Sequence, residues 1–200
     1  MGSAPRPMPW RQLARAEVLS AARLGNVQDR SSAEAVLITG VFGTGKTSVA
    51  VEMADIAEKA HLPYAVLDLD WLMWFEPGDE EDGHRMMLAN LSAVVSNYLG
   101  AGVRLFILAR SIRNSSELDG VRATLAMPLR VVRLEVGLPE IERRLRSDVT
   151  TARQDDLREA SAWLAAANGV GIEDLAVGND RPIRDVATEI LDWLGWIPSR

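Results

Sequence analysis

The chain has 200 residues, a formal net charge of −6, 48% hydrophobic and 25% charged residues, and no cysteine. That composition suits a single α/β domain and excludes disulfides, thiolate metal sites and cysteine nucleophiles. The acidic balance argues against a nucleic-acid or membrane-surface partner, each of which needs a basic face, and no apolar run approaches the ~20 residues of a membrane span.

Residues 1–9 carry three prolines and no apolar core, so they read as a disordered tail rather than a secretory signal, and a cytoplasmic location is the default expectation. Residues 10–24 form a usable amphipathic helix through Trp10, Leu13, Ala14, Val18, Ala21 and Ala22. A polar connector follows. From residue 31 to the end, short apolar runs alternate with helical segments. The runs at 35–39, 64–69, 103–109, 129–136 and 174–177 read as strands. The segments at 47–60, 85–99, 115–126, 139–146, 155–168 and 183–194 read as helices. The acidic stretch at 76–83 reads as a loop. This alternation predicts βαβ units, a parallel sheet and helices on both of its faces.

The most informative segment is Gly40-Val41-Phe42-Gly43-Thr44-Gly45-Lys46-Thr47, a complete G-x-x-x-x-G-K-[ST] sequence followed by Ser48. An apolar strand precedes it and a helix follows. The glycines let backbone N–H groups turn inward around phosphates, and the helix N-terminus adds its positive dipole. Lys46 then meets the β- and γ-phosphates, and the Thr47 hydroxyl holds Mg²⁺. ATP and Mg²⁺ are therefore the expected ligands. A loop that binds nucleotide without catalysis is the competing reading.

The placement of the acids narrows the class. ATPases and GTPases carry an aspartate at the end of a later strand, whereas the run at 103–109 ends in Ala109-Arg110. The acids instead follow the second strand, at Asp68 and Asp70. Read as an extended segment, the two point to one face beside the loop. Asp70 is the preferred base for an acceptor hydroxyl. Asp68 is second, with a supporting role toward Mg²⁺, and one of the pair is open to a helix-capping role.

A phosphate loop with a D-x-D roughly twenty residues on resembles the small-molecule kinases of the P-loop class. Adenylylsulfate kinase, chloramphenicol phosphotransferase, shikimate kinase and gluconate kinase have similar patterns. The resemblance spans residues 35–196 and implies a three-layer fold with sheet order 2-3-1-4-5, phosphoryl transfer from ATP to a hydroxylated small molecule, and an arginine-rich lid. The lid place falls near 143–155, with Arg143 and Arg146 as the preferred pair beside Arg144, and Arg153 as a third. The loop with Asn179 and Arg181 corresponds to the one that skirts adenine. Leu69, between the two acids, departs from the glycine usual in adenylylsulfate kinases.

On the acceptor side, Trp71 and Trp74 offer an apolar wall, with core packing as the alternative for part of the segment 71–75. Arg110 and Arg113 suit an anionic or polar acceptor. His61 and His84 have no partner at metal-ligand spacing and read as structural or surface residues. A homodimer is compatible with this reading. A nucleotide-dependent regulator and a nucleoside or nucleotide kinase are the alternatives.

Overall fold

The computed structural model describes residues 32–76, 78–146, 152–166 and 169–198. The expected helix at 10–24 lies outside them. The strands are β1 (Glu34–Thr39), β2 (Tyr64–Asp68), β3 (Leu105–Ala109), β4 (Leu129–Glu135) and β5 (Leu175–Gly178). The helices are α1 (Lys46–Lys59), α2 (Glu80–Gly100), α3 (Ser115–Leu125), α4 (Leu138–Arg146), α5 (Ala152–Ala165) and α6 (Ile183–Leu194). The sheet runs in the order β2-β3-β1-β4-β5 with every neighbouring pair parallel. The expected three-layer α/β architecture and strand order are present.

The central strands β1 and β3 read as nearly continuous apolar runs because both of their faces are covered. Val36 and Ile38 point into one core with Val49 and Met53 of α1 and Ile190 and Leu191 of α6. Their neighbours Ala35 and Leu37 point the other way, against Leu91 and Val95 of α2 and Leu118 and Val121 of α3. Leu37 and Phe106 are fully buried. Each such side chain contributes about 1.5–3 kcal/mol relative to exposure. A third, smaller cluster joins Val41 to Ile141 and Leu145 of α4 and to Trp163 of α5. It holds the α4–α5 pair against the segment that follows β1.

The register lines up the strand ends. Asp68 of β2 lies opposite Ala109 of β3, which lies opposite Ile38 of β1. The residues just beyond these three positions therefore emerge along one edge of the sheet.

Three local expectations need correction. The acidic stretch is not wholly a loop: α2 begins at Glu80. Asp79 caps it, accepting from the Asp82 N–H at 2.8 Å, while the Asp79 N–H donates back to Asp82 at 3.4 Å. Acids in a first turn satisfy orphan N–H groups and match the helix dipole, so the charge that suggested solvation here starts a helix. The D-x-D segment is also not extended. β2 stops at Asp68, and Leu69–Leu72 form a 3₁₀ turn. Leu69 is fully buried, which pulls the chain inward between the acids. β3 starts later than its apolar pattern suggests because the Val103 N–H still donates to Tyr98 of α2, at 3.0 Å. No helix among the described residues is long and apolar enough to cross a membrane.

Candidate active site

The segment between β1 and α1 wraps around an open centre. Gly40 has φ 138°, and a Cβ there would sit 2.8 Å from the Leu134 carbonyl and 2.9 Å from Thr44 Oγ1. Gly45 has φ 89°, and a Cβ there would meet Asn179 Nδ2 at 2.8 Å. Both positions thus demand glycine for conformation and for close approach. Thr44 Oγ1 donates to the Val41 carbonyl at 2.9 Å, and Lys46 Nζ donates to the same oxygen at 3.1 Å. The Lys46 ammonium lies 5.4 Å from the Phe42 ring centroid.

The loop is braced from three sides. After β3, Ser111 Oγ donates to the Gly40 carbonyl at 3.0 Å, and the Ile112 N–H donates to Thr39 Oγ1 at 3.0 Å. After β5, buried Asn179 donates through Nδ2 to the Thr44 carbonyl at 2.7 Å. From α4, Arg144 donates to that same carbonyl at 3.2 Å and to the Asn179 carbonyl at 2.6 Å. Its Nε pairs with Glu140 at 2.7 Å.

Two cavities open along the sheet edge. The first, of about 730 Å³, is lined by Gly43, Gly45, Lys46, Thr47, Ser48, Asp68, Asp70, Trp71, Trp74 and Arg144, among others. The second, of about 790 Å³, is lined by Met73, Glu80, Glu81, His84, Arg110, Arg113, Glu117 and Trp163, among others. Phe42 and Asp70 line both. Asp70 therefore stands at the passage between them. A third cavity, of about 490 Å³, lies behind the loop between Thr39, Arg133, Trp163 and Asp180.

The two acids divide. Asp68 caps the 3₁₀ turn through Oδ1, accepting from the Asp70 N–H at 3.1 Å. Its Oδ2 accepts from Thr47 Oγ1 at 2.7 Å. Asp70 instead pairs with Arg110 Nη1 at 3.0 Å. Its carboxyl sits above the ordinary value of 3.8, because desolvation by the cavity walls outweighs the lowering by Arg110, with Asp68 adding to the rise. A carboxylate raised in this way is better suited to accept a proton.

The structure redistributes several expected residues. Arg143 is largely exposed and folds back on Glu140 at 2.6 Å, while its neighbour Arg144 reaches the loop. The two arginines hold the Glu140 carboxyl down at about 2, Arg143 contributing most. The side chains of Arg146 and Arg153 lie outside the described residues. Asn179 supports the loop from beneath, whereas Arg181 turns away to pair with Glu189 of α6. Trp71 and Trp74 are 67% and 78% exposed, pack together at 5.1 Å between ring centroids, and border the loop cavity instead of the second one. Aromatic walls of the second cavity come from Phe42 and Trp163, 6.0 Å apart. Arg110 and Arg113 do line that cavity, but neither is an open cationic site: Arg110 pairs with Asp70, and Arg113 with Glu80. His84, read from sequence as structural or surface, also faces it.

No family model matches the chain, and no curated protein does. Solved structures do match in fold. A sugar kinase from a Janibacter species is 20% identical, with a TM-score of 0.58 over 82% of this chain and 95% of that one. The adenylylsulfate (APS) kinase of Mycobacterium tuberculosis, in complex with AMPPNP and APS, is 22% identical, with a TM-score of 0.58 over 82% and 99%. A gluconokinase from Sinorhizobium meliloti is 21% identical, with a TM-score of 0.58 over 84% and 94%. The fold of this chain is thus one that P-loop kinases of small molecules share.

Proposed function

We propose that this chain, which has the fold of the P-loop small-molecule kinases, transfers the γ-phosphoryl group of ATP to a hydroxyl of a small molecule. The observation that carries the reading is the position of Asp70, which lines both the loop cavity and the second cavity. A base at that passage reaches an acceptor on one side and a phosphate on the other.

The donor side fits a magnesium–nucleotide complex. Thr47 Oγ1 commits its proton to Asp68, so its lone pairs turn outward to a hard cation. Asp68, which holds the Thr47 hydroxyl, would help to hold that cation through its carboxylate. Among the described residues no cluster of three or more acidic, histidine or cysteine side chains surrounds a metal position. That suits Mg²⁺, which keeps its waters and takes most remaining oxygens from the phosphates. Bound there, Mg²⁺·ATP supplies the phosphoryl group and neutralises part of its charge.

The chain's own residues do the rest. Loop N–H groups and Lys46 hold the phosphates, with Lys46 poised by the Val41 carbonyl and the Phe42 ring. Arg110 fixes the Asp70 carboxylate in place. Asp70 accepts the acceptor's hydroxyl proton as the oxygen bonds to γ-phosphorus and the bond to the bridging oxygen breaks. Arg144 ties α4 to the loop, so the position of α4 and the loop's shape are coupled.

The test is a transfer assay with labelled ATP over hydroxylated small molecules, with Lys46→Ala and Asp70→Asn alongside. The reading expects transfer to at least one acceptor, and a loss of at least a hundredfold in either variant. Wild-type turnover in both variants would overturn it. Tight ATP binding with no transfer to any acceptor would favour a nucleotide-dependent regulator instead.

A further inference from the structure

We infer that Phe42 and Trp163 form one positioning unit for the two cations that border the path of transfer, Lys46 in the loop cavity and Arg113 in the second cavity. The inference rests on the phosphotransfer reading for the meaning of that path and adds the part of the chain that sets its two charges.

Phe42 is half-buried and lines both cavities. The Lys46 ammonium lies 5.4 Å from the centroid of its ring. The same ring meets Trp163 at 6.0 Å, with 59° between the planes. The guanidinium carbon of Arg113 lies 5.4 Å from the centroid of the Trp163 ring. Together they make a row, cation to ring to ring to cation, that runs from the wall of one cavity to the wall of the other. Each distance is inside the range where a ring face attracts a cation, and tilted rings keep a face for the cation while they touch each other. A leucine could fill the volume of either ring, but it offers no electron-rich face.

The row is anchored at both ends. Trp163 is 5% exposed and packs with Val41, Ile141 and Leu145. Lys46 Nζ also donates to the Val41 carbonyl, at 3.1 Å, so a carbonyl and a ring share the ammonium. Arg113 is held through its backbone as well. Its N–H donates to Glu117 at 3.0 Å, and its carbonyl accepts from the Gly169 N–H at 2.9 Å. Gly169 has φ 70°, and a Cβ there would lie 2.6 Å from the Ile112 carbonyl, so the chain beyond α5 is pressed against the Ile112–Arg113 segment. A charge fixed before the ligand arrives spares the cost of ordering it on binding. α5 thus reaches the phosphate loop through Trp163 and the acceptor side through the chain that follows it, and a change in either ring is felt by both cations.

The experiment compares Phe42→Leu, Phe42→Tyr and Trp163→Leu with wild type. Trp193→Leu is a matched control, since Trp193 of α6 carries Arg130 at the same 5.4 Å and lines neither cavity. Binding of Mg²⁺·AMPPNP is measured by calorimetry. The Lys46 and Arg113 side-chain resonances of the unliganded protein are followed by NMR, each assigned by its loss in Lys46→Arg or Arg113→Lys. Phe42→Leu is expected to weaken the analogue about fivefold, Phe42→Tyr to restore it to within about twofold of wild type, and Trp193→Leu to leave it unchanged. The Arg113 resonance moves in Phe42→Leu and the Lys46 resonance in Trp163→Leu, although each cation sits on the other ring. Should Trp163→Leu fail to fold, the Phe42 variants decide. Wild-type affinity in Phe42→Leu, or no rescue by Phe42→Tyr, overturns the inference, as do resonances that answer only to their own ring. These outcomes leave the phosphotransfer reading intact, because no acceptor and no transfer enter the measurement. Failure of wild type to bind the analogue removes the phosphotransfer reading, and the resonances then decide the inference alone.

Discussion

Thr47 and Asp68 stand on different elements, one opening α1 and the other ending β2, and their side chains meet at 2.7 Å. The contact joins the phosphate loop to the first acid of the D-x-D segment. It fixes the Thr47 rotamer before any ligand arrives, which spares a bound cation that ordering cost. Asp68→Asn keeps the shape and removes the charge. The expected result is about a tenfold rise in the Mg²⁺ concentration needed for half-maximal ATP binding, with the melting temperature almost unchanged. Calorimetric titrations of ATP at stepped Mg²⁺ concentrations check this, and an unaltered requirement would remove Asp68 from the cation site.

Asp70 gives a pH dependence with a definite sign. Its carboxyl lies above 3.8 through desolvation, while Arg110 pulls the other way. Proton acceptance needs the ionised form, so kcat/KM rises with pH through that elevated value. Arg110→Met deletes the opposing pull, and the acid limb moves to higher pH. A limb that stays in place or moves down contradicts the pairing.

The same shift has a consequence for folding. A carboxyl raised in the folded state favours folding in its protonated form, below the unfolded value, and loses that favour as pH rises through the folded value. At pH 7 the ionised Asp70 therefore weighs against the native state. Asp70→Asn is expected to melt slightly higher than wild type while losing activity, an exchange of stability for function. Thermal unfolding at pH 7 decides it, and a lower melting point would count against the desolvated charge.

Neighbouring arginines on α4 should behave differently. Arg144 donates to the Thr44 and Asn179 carbonyls, whereas Arg143 is exposed and touches Glu140. Arg144→Ala is expected to weaken ADP binding about tenfold, a loss of roughly 1.4 kcal/mol, and Arg143→Ala less than about twofold. Parallel titrations of the two variants make the comparison, and equal effects would show that the Thr44 contact has no role.

Gly45→Ala places a methyl 2.8 Å from Asn179 Nδ2 at φ 89°. The side chain of Asn179 is buried and holds Thr44, so it has little room to retreat. Nucleotide binding should fall at least a hundredfold with a melting temperature several degrees lower, about 1–3 kcal/mol of strain. Near-normal binding in this variant would mean that the loop relaxes far more than its bracing suggests.

The parts of this molecule that sequence made legible are those with local causes. The loop at Gly40–Thr47 follows from glycine placement between an apolar strand and a helix start, and the five strands follow from apolar runs between breakers. Parallel pairing and helices on both faces then follow from connection rules. The site was harder to read where tertiary contact decides. Glu140 lies three residues before Arg143 and four before Arg144 and pairs with both, so helical periodicity alone does not say which one reaches Thr44. Only the docking of Ile141 and Leu145 on Val41 selects Arg144. His84 and Glu81 were missed because both precede the helix expected at 85–99, and no local signal shows which cavity the first turns of α2 face. The Asp79–Asp82 capping box had a local signal, a pair of acids three apart before a long apolar stripe, and charge density obscured it.

The Thr44 carbonyl receives Arg144 from 100 residues downstream and Asn179 from 135 residues downstream. During synthesis the loop leaves the ribosome well before the residues that supply these two braces. β1 itself has both edges open until β3 and β4 arrive to pair with it. Contacts of this sequence separation form slowly, since chain closure must precede them. The nascent chain thus carries the complete Gly40–Thr47 sequence long before that loop is braced, and its cradle is finished only after β5 and the residue beyond it have docked.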